Sequence, residues 1–399
     1  MARVRGKTTR ADSIEVRGSM PTSAPADRVY EARPVNITSR PLLRRFLVGT
    51  AILVLFTIGA LLLSVAIGLE VGAQAALLGL LFAAVPVGIV VPAILWLDRF
   101  EAEPTGYLIF TFLWGALIAT TVAIVLNTSS LIMLTNVVGD AESVAAVVVA
   151  PVVEETLKGL VVLLVVWRRR REFDGVIDGI VYAGISAAGF AFAENILYLG
   201  RAYVEMGAEG LVGLFVVRGL ISPFAHPLFT MWIGVGIGYA ATRASGIGRW
   251  LAPIGGLLLA IFLHGLWNLS AVAGIEGFWS SYLLLQVPIF LGAIGFVFWE
   301  RRREAVLIER TLRIYGRYGW LTAPEVRMLA STSARKDARV WARRAGGRRA
   351  LQAMVAFQDE ATDLAMLRVR MAHGSAGADA LYQERMLLDS MTRARAALP

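Results

Sequence analysis

Two adjacent glutamates, Glu154 and Glu155, lie in the middle of an apolar stretch that is long enough to cross a lipid bilayer. The stretch covers residues 143–167 and reads SVAAVVVAPVVEETLKGLVVLLVVW. A spanning helix needs roughly 20 apolar residues, and one charged side chain at bilayer depth costs at least ~2.5–3.5 kcal/mol on insertion scales. Neighbouring carboxylates also repel each other. Because a chain that carries this cost usually uses it, the pair predicts a polar functional site inside a bundle of membrane helices.

The composition supports a membrane protein. Of 399 residues, 57% are hydrophobic and 17% are charged, which is typical of a polytopic membrane chain. Cysteine is absent, which excludes disulfides, zinc–thiolate sites and a cysteine nucleophile. The net charge is +9, but ten of the 39 Lys and Arg precede residue 46 and nineteen follow residue 299. Basic ends around an apolar middle favour contact with anionic lipid over nucleic-acid binding, which is not expected.

The apolar segments predict an all-α fold, a polytopic membrane helix bundle with about eight transmembrane helices. Residues 1–45 are polar and basic and are predicted to form a disordered cytoplasmic N-terminus. Residues 46–299 form the transmembrane domain, and residues 300–399 are predicted to form a cytoplasmic helical tail. The eight segments are 46–69, 73–97, 106–126, 143–167, 175–199, 211–241, 250–273 and 279–299.

The positions of the loop charges predict the orientation in the membrane. Alternate loops hold nearly all the arginines, namely Arg99, Arg168 to Arg171, Arg243 with Arg249, and Arg301 to Arg303. The opposite loops clearly hold only Arg201. Since cytoplasmic loops carry an excess of Lys and Arg, both termini are predicted to be cytoplasmic.

The tail has sequence signals for helices but no catalytic motif. Thr322 and Glu325 have the spacing of a capping box at a helix start. Two stretches of helical apolar spacing, about 349–371 and 377–397, flank the linker HGSAG. This pattern predicts a helical hairpin.

The glutamate pair has an obvious partner on its own helix. Glu154 and Lys158 are four residues apart, so they share a helix face and can form an ion pair. Glu155 points about 100° away from Glu154. A buried Glu154–Lys158 pair could serve packing alone, but that interpretation leaves the second glutamate unexplained.

Later apolar segments add further polar residues. The fifth carries Glu194 and Asn195, the sixth carries His226, and the seventh carries His264 and Asn268 one turn apart. A single membrane histidine often only packs between helices, and a glutamate near a helix end can reach lipid headgroups. Both histidines and both glutamates of the fourth segment fall at similar depth once alternating helix direction is allowed for, which is what a shared site requires.

These residue types suit hydrolysis. A carboxylate can activate water as a general base while a second carboxyl donates a proton, and histidine and asparagine side chains can stabilise an oxyanion. A zinc site is the alternative, with Glu154, Glu155, His226 and His264 as ligands and one position left for water. The H-E-x-x-H motif of zinc proteases is absent from the sequence. The residue types therefore favour a site without a cofactor.

Together these motifs resemble the PrsW-type intramembrane proteases. Glu154-Glu155-Thr-Leu-Lys158 resembles that family's EExxK motif, Phe190 to Asn195 its second motif, His226 its next histidine, and His264 with Asn268 its last motif. The family is similar to the CAAX prenyl protease superfamily of glutamic intramembrane proteases. The resemblance implies an endopeptidase of the bacterial cytoplasmic membrane. It also implies membrane-tethered substrates, with site-1 cleavage of an anti-sigma factor as the family's named role.

The resemblance also implies roles for the individual residues. Glu154 or Glu155 would activate water, Glu194 and His226 would orient or share the proton, and His264 and Asn268 would hold the oxyanion. Lys158 and Asn195 would support the site. Absence of a metal is likewise implied by the superfamily.

Two other functions use similar residues. Intramembrane Glu and His also form proton relays, so a proton-coupled transporter is an alternative. Internal repeats would favour a transporter, and the sequence shows none. A non-catalytic scaffold that binds a partner's transmembrane helix is the third interpretation.

Overall fold

The computed structural model describes residues 42–97, 100, 103–169, 173, 175–242, 246–374 and 376–399. The predicted disorder of residues 1–45 falls outside the described residues except at residues 42–45, which form the start of a helix and for which the prediction is wrong. Four of the arginines used for orientation, Arg99, Arg170, Arg171 and Arg243, also lie outside the described residues. The chain divides into two compact units, Met1–Gly49 and Thr50–Pro399. Of the first unit, the structure describes only the start of a helix. The other described residues belong to the second unit.

Within the described residues all regular structure is helical. Helix α1 is Leu42–Leu97, α2 is Thr105–Leu134 with a π-helical turn at Trp114–Ala119, α3 is Ala150–Arg168, α4 is Val176–Phe215, α5 is Ala225–Thr242, α6 is Gly248–Val272, α7 is Gly274–Ser281, α8 is Val287–Arg317, α9 is Ala323–Leu329, α10 is Thr332–Ala372 and α11 is Ala380–Ala396. Further π-helical turns precede α3 (Ala145–Val149), follow α4 (Val216–Ile221) and precede α8 (Tyr282–Gln286). The short helix Ala141–Val144 leads into the first of these three turns.

Among the described residues, five helical stretches are long and apolar enough to cross a membrane, which together with the helical fold identifies an integral membrane protein. They are Phe46–Leu97, Thr105–Leu134, Val176–Thr242, Gly248–Val272 and Gly274–Arg317. Helix α3 is not among them, because Glu154, Glu155 and Lys158 interrupt its apolar character. The prediction of about eight helices is therefore confirmed only as a polytopic helical bundle.

Two of the long stretches contain breaks. Gly72 has a φ of 78° and Gly207 a φ of 66°, values that glycine adopts without steric cost. The break at Gly72 falls between the first two predicted segments. A further non-helical turn at Ser222–Phe224 separates α4 and its π-helical turn from α5.

Helices α4 and α5 form the centre of the membrane bundle. Most of α4 is buried, and it approaches α5 so closely that a Cβ on Gly179 would lie 2.1 Å from the carbonyl oxygen of Gly234. Small residues permit this close approach of membrane helices. This close approach fixes the relative position of α4 and α5, which both pack against α3.

The tail has a core of its own. Helices α9, α10 and α11 pack with the end of α8 around a cluster that includes Ile308, Phe357 and Leu364 and also takes in Phe100. The capping box is confirmed: the Thr322 hydroxyl accepts from the Glu325 amide and the Glu325 carboxylate accepts from the Thr322 amide. The helical hairpin is confirmed by the packing of α10 against α11. The predicted boundary at residue 299 falls inside α8, which continues into the tail.

Candidate active site

Helix α3 places Glu154, Glu155 and Lys158 in one buried cluster. The Lys158 Nζ lies 2.8 Å from Glu155 Oε1 and 3.4 Å from Glu154 Oε2. The i,i+4 pair was predicted from the sequence, but the shorter contact is the i,i+3 pair with Glu155. One ammonium thus contacts both carboxylates. It also lies 4.1 Å from the centroid of the Phe190 ring, a distance that suits a cation–π contact.

Glu155 is fully buried and accepts three hydrogen bonds. The donors are Lys158 Nζ, His264 Nδ1 at 2.9 Å and the Thr230 hydroxyl at 2.7 Å. Charge-assisted hydrogen bonds of this kind fix a carboxylate firmly. Glu155 is therefore held by α3, α5 and α6 at once.

Glu154 has looser contacts than its neighbour. Its side chain is 7% exposed, and it accepts from Asn127 Nδ2 at 3.3 Å and from Lys158 at 3.4 Å. His264 Nε2 lies 3.8 Å from Glu154 Oε2, beyond hydrogen-bond distance. Glu154 is thus the carboxylate of the pair with room for another group.

His226, on α5, connects the cluster to Glu194 on α4. Its Nδ1 lies 3.0 Å from Lys158 Nζ and its Nε2 lies 2.9 Å from Glu194 Oε2. A lysine ammonium only donates hydrogen bonds, so Nδ1 is the acceptor and Nε2 carries the proton that is donated to Glu194. These two contacts fix the tautomer of the ring.

His264, on α6, is oriented from the opposite side. Its Nδ1 donates to Glu155, which leaves Nε2 facing Glu154. The ring stacks on Phe229 with centroids 5.3 Å apart, and it meets the His226 ring edge-on at 5.2 Å. The structure therefore brings both predicted histidines and both predicted glutamates of α3 together.

Arg218, in the π-helical turn after α4, holds Glu194 in place. Its Nη2 donates to Glu194 Oε2 at 2.5 Å and its Nε donates to Asn195 Oδ1 at 2.6 Å. The sequence analysis did not assign Arg218 to the site, although an arginine inside an apolar segment is itself a signal. It also missed Thr230 and Asn127, which are ordinary polar residues of membrane helices.

Asn268 lies apart from the carboxylates. Its amide donates to the carbonyl oxygen of Ala146 at 2.8 Å, which ties α6 to the π-helical turn before α3. The predicted role of Asn268 at an oxyanion stays a prediction.

Three of the residues predicted as alternative zinc ligands form a possible metal site. Glu154, His226 and His264 are buried and offer ligand atoms within 4.8 Å of one another. Two imidazoles and a carboxylate are a donor set that zinc accepts. Glu155 and Glu194 hydrogen-bond the other ring nitrogens of the two histidines, as carboxylates behind metal-bound histidines commonly do. Lys158 contacts His226 Nδ1 and Glu154, so its ammonium competes for two of the three donors. The donor set fits a divalent ion if Lys158 stays on Glu155.

Comparison with known proteins gives one consistent family. Residues 103–293 match the family described as PrsW family intramembrane metalloprotease. The chain is 31% identical over 200 residues to Protease PrsW of Clostridioides difficile, covering 50% of this chain and 80% of the relative. It is 29% identical to Protease PrsW of Geobacillus kaustophilus over 49% of this chain and 80% of the relative. It is 27% identical to that of Oceanobacillus iheyensis over 58% of this chain and all of the relative.

No solved structure matches the chain closely enough for comparison. The matched region contains every residue of the cluster. It ends before the tail, so the family match says nothing about that region. The matches favour a protease over the transporter and scaffold interpretations.

Proposed function

This chain belongs to the PrsW family of intramembrane proteases, and from that membership we propose that the buried cluster on α3, α4, α5 and α6 is its peptidase centre. The observation that carries the proposal is the convergence of Glu154, Glu155, Lys158, His226 and His264 at one buried point. Isolated buried charges are costly in a membrane. Five titratable groups from three helices at one point are a recognised mark of a catalytic site.

Glu154 is the residue that activates the attacking water. Glu155 already accepts from three donors and is fully buried, whereas Glu154 retains slight exposure and a long contact to His264. A general base must have access to the water from which it takes a proton. Glu155 then positions Lys158 and His264, and this difference in contacts supports Glu154 rather than Glu155 as the base.

The histidines complete the reaction centre. His264 Nε2 faces Glu154; it accepts from the attacking water when the ring is neutral and donates to the scissile carbonyl oxygen when the ring is protonated. His226 is held by Glu194, which Arg218 holds in turn, so the ring keeps one tautomer while the proton moves elsewhere. Lys158 offsets the charge of two carboxylates in a medium where an unpaired carboxylate would be costly.

The donor set also allows a metal-dependent form of the same centre. Glu154, His226 and His264 would hold the ion, which when bound would polarise the scissile carbonyl and lower the pKa of a bound water. The family description names a metalloprotease, whereas the sequence analysis expected no cofactor. Measured metal content, rather than the fold, distinguishes the two forms.

The substrate and topology follow from the same proposal. PrsW proteases act on membrane-bound substrates, and we assign this chain an anti-sigma-factor-like protein with a single span or tether, cut at its outer membrane face. The protease would lie in the cytoplasmic membrane with about eight spans, both termini and the tail being cytoplasmic. The loop charges and the breaks at Gly72 and Gly207 support this arrangement.

The test compares native chain with Glu154→Gln and Glu155→Gln in cells at matched membrane levels. Shed extracytoplasmic fragments are quantified by mass spectrometry, and the substrate so found is then cleaved in lipid nanodiscs. Glu154→Gln should lower the cleavage rate by about 10²–10⁴-fold, the usual contribution of a general base, with the folded yield retained. The matched control is Glu205→Gln, at an exposed position of α4. Full activity of the Glu154→Gln, Glu155→Gln double variant would overturn the proposed mechanism.

Metal dependence is tested on the same purified samples. Metal content is measured directly, and activity is followed through chelation and the return of Zn²⁺. Loss and recovery of activity, with one ion bound per chain that Glu154→Gln, His226→Ala and His264→Ala each fail to retain, would identify the metal-dependent form. Full activity in chelator without bound metal would identify the glutamate–water form.

A further inference from the structure

A groove lies next to the cluster, where the turn Ser222–Phe224 faces the π-helical turn before α8. It encloses a cavity of about 70 Å³ that is open at one mouth. Its walls come from the α4–α5 turn, α5, α6 and α8 and are mainly apolar, with Phe224, Leu228, Leu266 and Phe290 among them. Apart from Phe229, whose ring stacks on His264, none of its lining residues is assigned a role in the centre described above.

The groove shares a wall with the catalytic cluster. Phe229 lines the groove, and the same ring stacks on His264 and approaches His226 at 6.1 Å. Trp267 lines the groove as well and lies 6.3 Å from the Phe229 ring. A group bound in the groove would therefore lie one aromatic ring away from the two imidazoles.

Gln286 gives the apolar groove an unused hydrogen-bond acceptor. Its Nε2 donates to Ser270 Oγ at 2.8 Å, while its buried Oε1 has no hydrogen-bond partner among the described residues. A buried acceptor without a donor is costly and is uncommon in folded proteins. The side chain lines the groove, so a rotation of its amide would present this oxygen to a donor on a ligand there.

The turn Ser222–Phe224 makes the same wall irregular. The helix stops before Pro223, and the carbonyl oxygen of Ile221 is taken up by the Tyr282 hydroxyl at 2.9 Å. Non-helical backbone at membrane depth is tolerated where it is buried in protein or lines a cavity. Tyr282 thus secures the turn from the opposite wall, and the groove stays open between them.

We propose that this groove is a specificity subsite, which binds a large apolar side chain beside the scissile bond of an extended peptide segment. Gln286 Oε1 accepts the backbone N–H of that segment. A lipid acyl chain has no donor for this oxygen, and a helical segment uses its own N–H groups internally. A substrate segment unwound for cleavage offers both the apolar side chain and the free N–H. The inference rests on the proposed function, because it needs the adjacent cluster to cut peptide bonds.

The experiment uses the full chain in lipid nanodiscs and apolar peptides with a randomised window. Mass spectrometry of the products gives the residue preference at each position around the cleaved bond. The native chain should prefer large apolar residues at one flanking position. Phe290→Ala enlarges the groove at its α8 wall and should shift that preference towards larger side chains by about tenfold, within the range of apolar pocket discrimination. The matched control is Leu291→Ala, at an exposed neighbouring position.

A second experiment tests whether Gln286 Oε1 accepts a backbone N–H of the substrate. N-methylation of the substrate removes one N–H at a time, and at one position it should lower native cleavage by about tenfold, as expected for one buried hydrogen bond. Gln286→Met keeps the side-chain size but lacks the amide oxygen. This variant should therefore cleave the unmethylated peptide and the peptide methylated at that position at equal rates. A purely structural role of Gln286 would lower both rates together and would overturn the proposal.

The outcomes separate this inference from the proposed function. Cleavage with identical residue preferences in the native chain, Phe290→Ala and Leu291→Ala would overturn the subsite and leave the protease intact. No cleavage by any of the four chains, including native, would count against the proposed function and the subsite with it.

Discussion

The membrane cluster and the tail bury charged side chains in different ways. In the tail, Arg335 is 2% exposed and donates to the Thr362 hydroxyl at 2.9 Å and to Asp359 at 3.1 Å. The Arg335 guanidinium thus links two parts of α10 across the break at Gly346 and Gly347. Gln358 reinforces this link by donating to the backbone oxygen of Arg335. There the buried cation has separate acceptors in the Thr362 hydroxyl and the Asp359 carboxylate, and Asp359 also has Arg339 nearby.

In the membrane cluster one donor is shared among several acceptors. Lys158 lies within 3.4 Å of Glu154, Glu155 and His226, and both histidines have a carboxylate beside them. A proton or a cation can therefore occupy more than one position at little cost in hydrogen bonds. Burial of charge alone does not distinguish catalysis from structure; the sharing of one donor among several acceptors is what sets the membrane cluster apart from the tail.

The largest expected effect comes from removing the shared donor. Lys158→Met leaves two buried carboxylates without their ammonium, and breaking a buried ion pair by removing one partner costs about 3–5 kcal/mol. We expect loss of both folded yield and cleavage. Folded yield is measured by size-exclusion chromatography of the solubilised protein, and cleavage is measured on the identified substrate. The matched control is Lys336→Met, at an exposed tail position, which should change neither.

A second variant separates stability from catalysis in the Lys158 experiment. Lys158→Met combined with Glu155→Gln removes one negative charge along with the positive one. We expect the double variant to recover folded yield but not activity. Full cleavage by Lys158→Met alone would contradict the shared-donor interpretation of the cluster.

Truncating a buried side chain in the tail core should lower the stability of the tail without affecting cleavage. Phe357 is 1% exposed in the tail core, and truncating such a phenylalanine costs about 3–5 kcal/mol. Phe357→Ala should therefore lower the amide hydrogen-exchange protection of α10, while the cleavage rate per folded molecule stays within about twofold of native. Trp341→Ala, at a half-exposed position on the same helix, is the control and should leave protection nearly unchanged. A cleavage defect as large as that of Glu154→Gln would show that the tail is coupled to the site.

The sequence predicted the parts of the site that depend on spacing along one helix. The Glu154–Lys158 pair and the common location of His226 and His264 follow from helical periodicity and depth. Family membership followed from the same motifs. Glu155 was predicted to point about 100° away from Glu154, which gave no indication that Lys158 would lie closer to Glu155 than to Glu154. The direction in which a long side chain extends depends on the helices that pack against it.

Contacts between helices could not be predicted in this way. Arg218 meets Glu194 from a π-helical turn 24 residues later, and Asn127 meets Glu154 from α2. Both pairings depend on helix rotation and approach, which single-residue breaks such as Gly72 and Gly207 alter. The inclusion of Phe100 in the tail core was missed for the same reason.

The smallest expected effect concerns Asp359, the half-exposed partner of Arg335. Burial raises the pKa of the Asp359 carboxyl above its ordinary value of 3.8, since desolvation outweighs the attraction of Arg335 and Arg339. A raised folded pKa means that the folded tail holds this proton more tightly than the unfolded chain. The contribution of Asp359 to stability is therefore fully present below 3.8 and is lost as pH rises through the folded pKa.

Asp359→Asn should remove this pH dependence without disturbing the tail. At neutral pH the variant should match native within about 0.5 kcal/mol, as surface substitutions usually do. Near pH 4 the native tail should be more stable relative to the variant than it is at neutral pH. The measurement is amide protection of α10 in the full chain, corrected for intrinsic exchange, at about pH 4 and about pH 7. A large loss of protection at neutral pH would mean that Arg335 depends on the charge of Asp359, and the tail would then resemble the membrane cluster more closely than its paired contacts indicate.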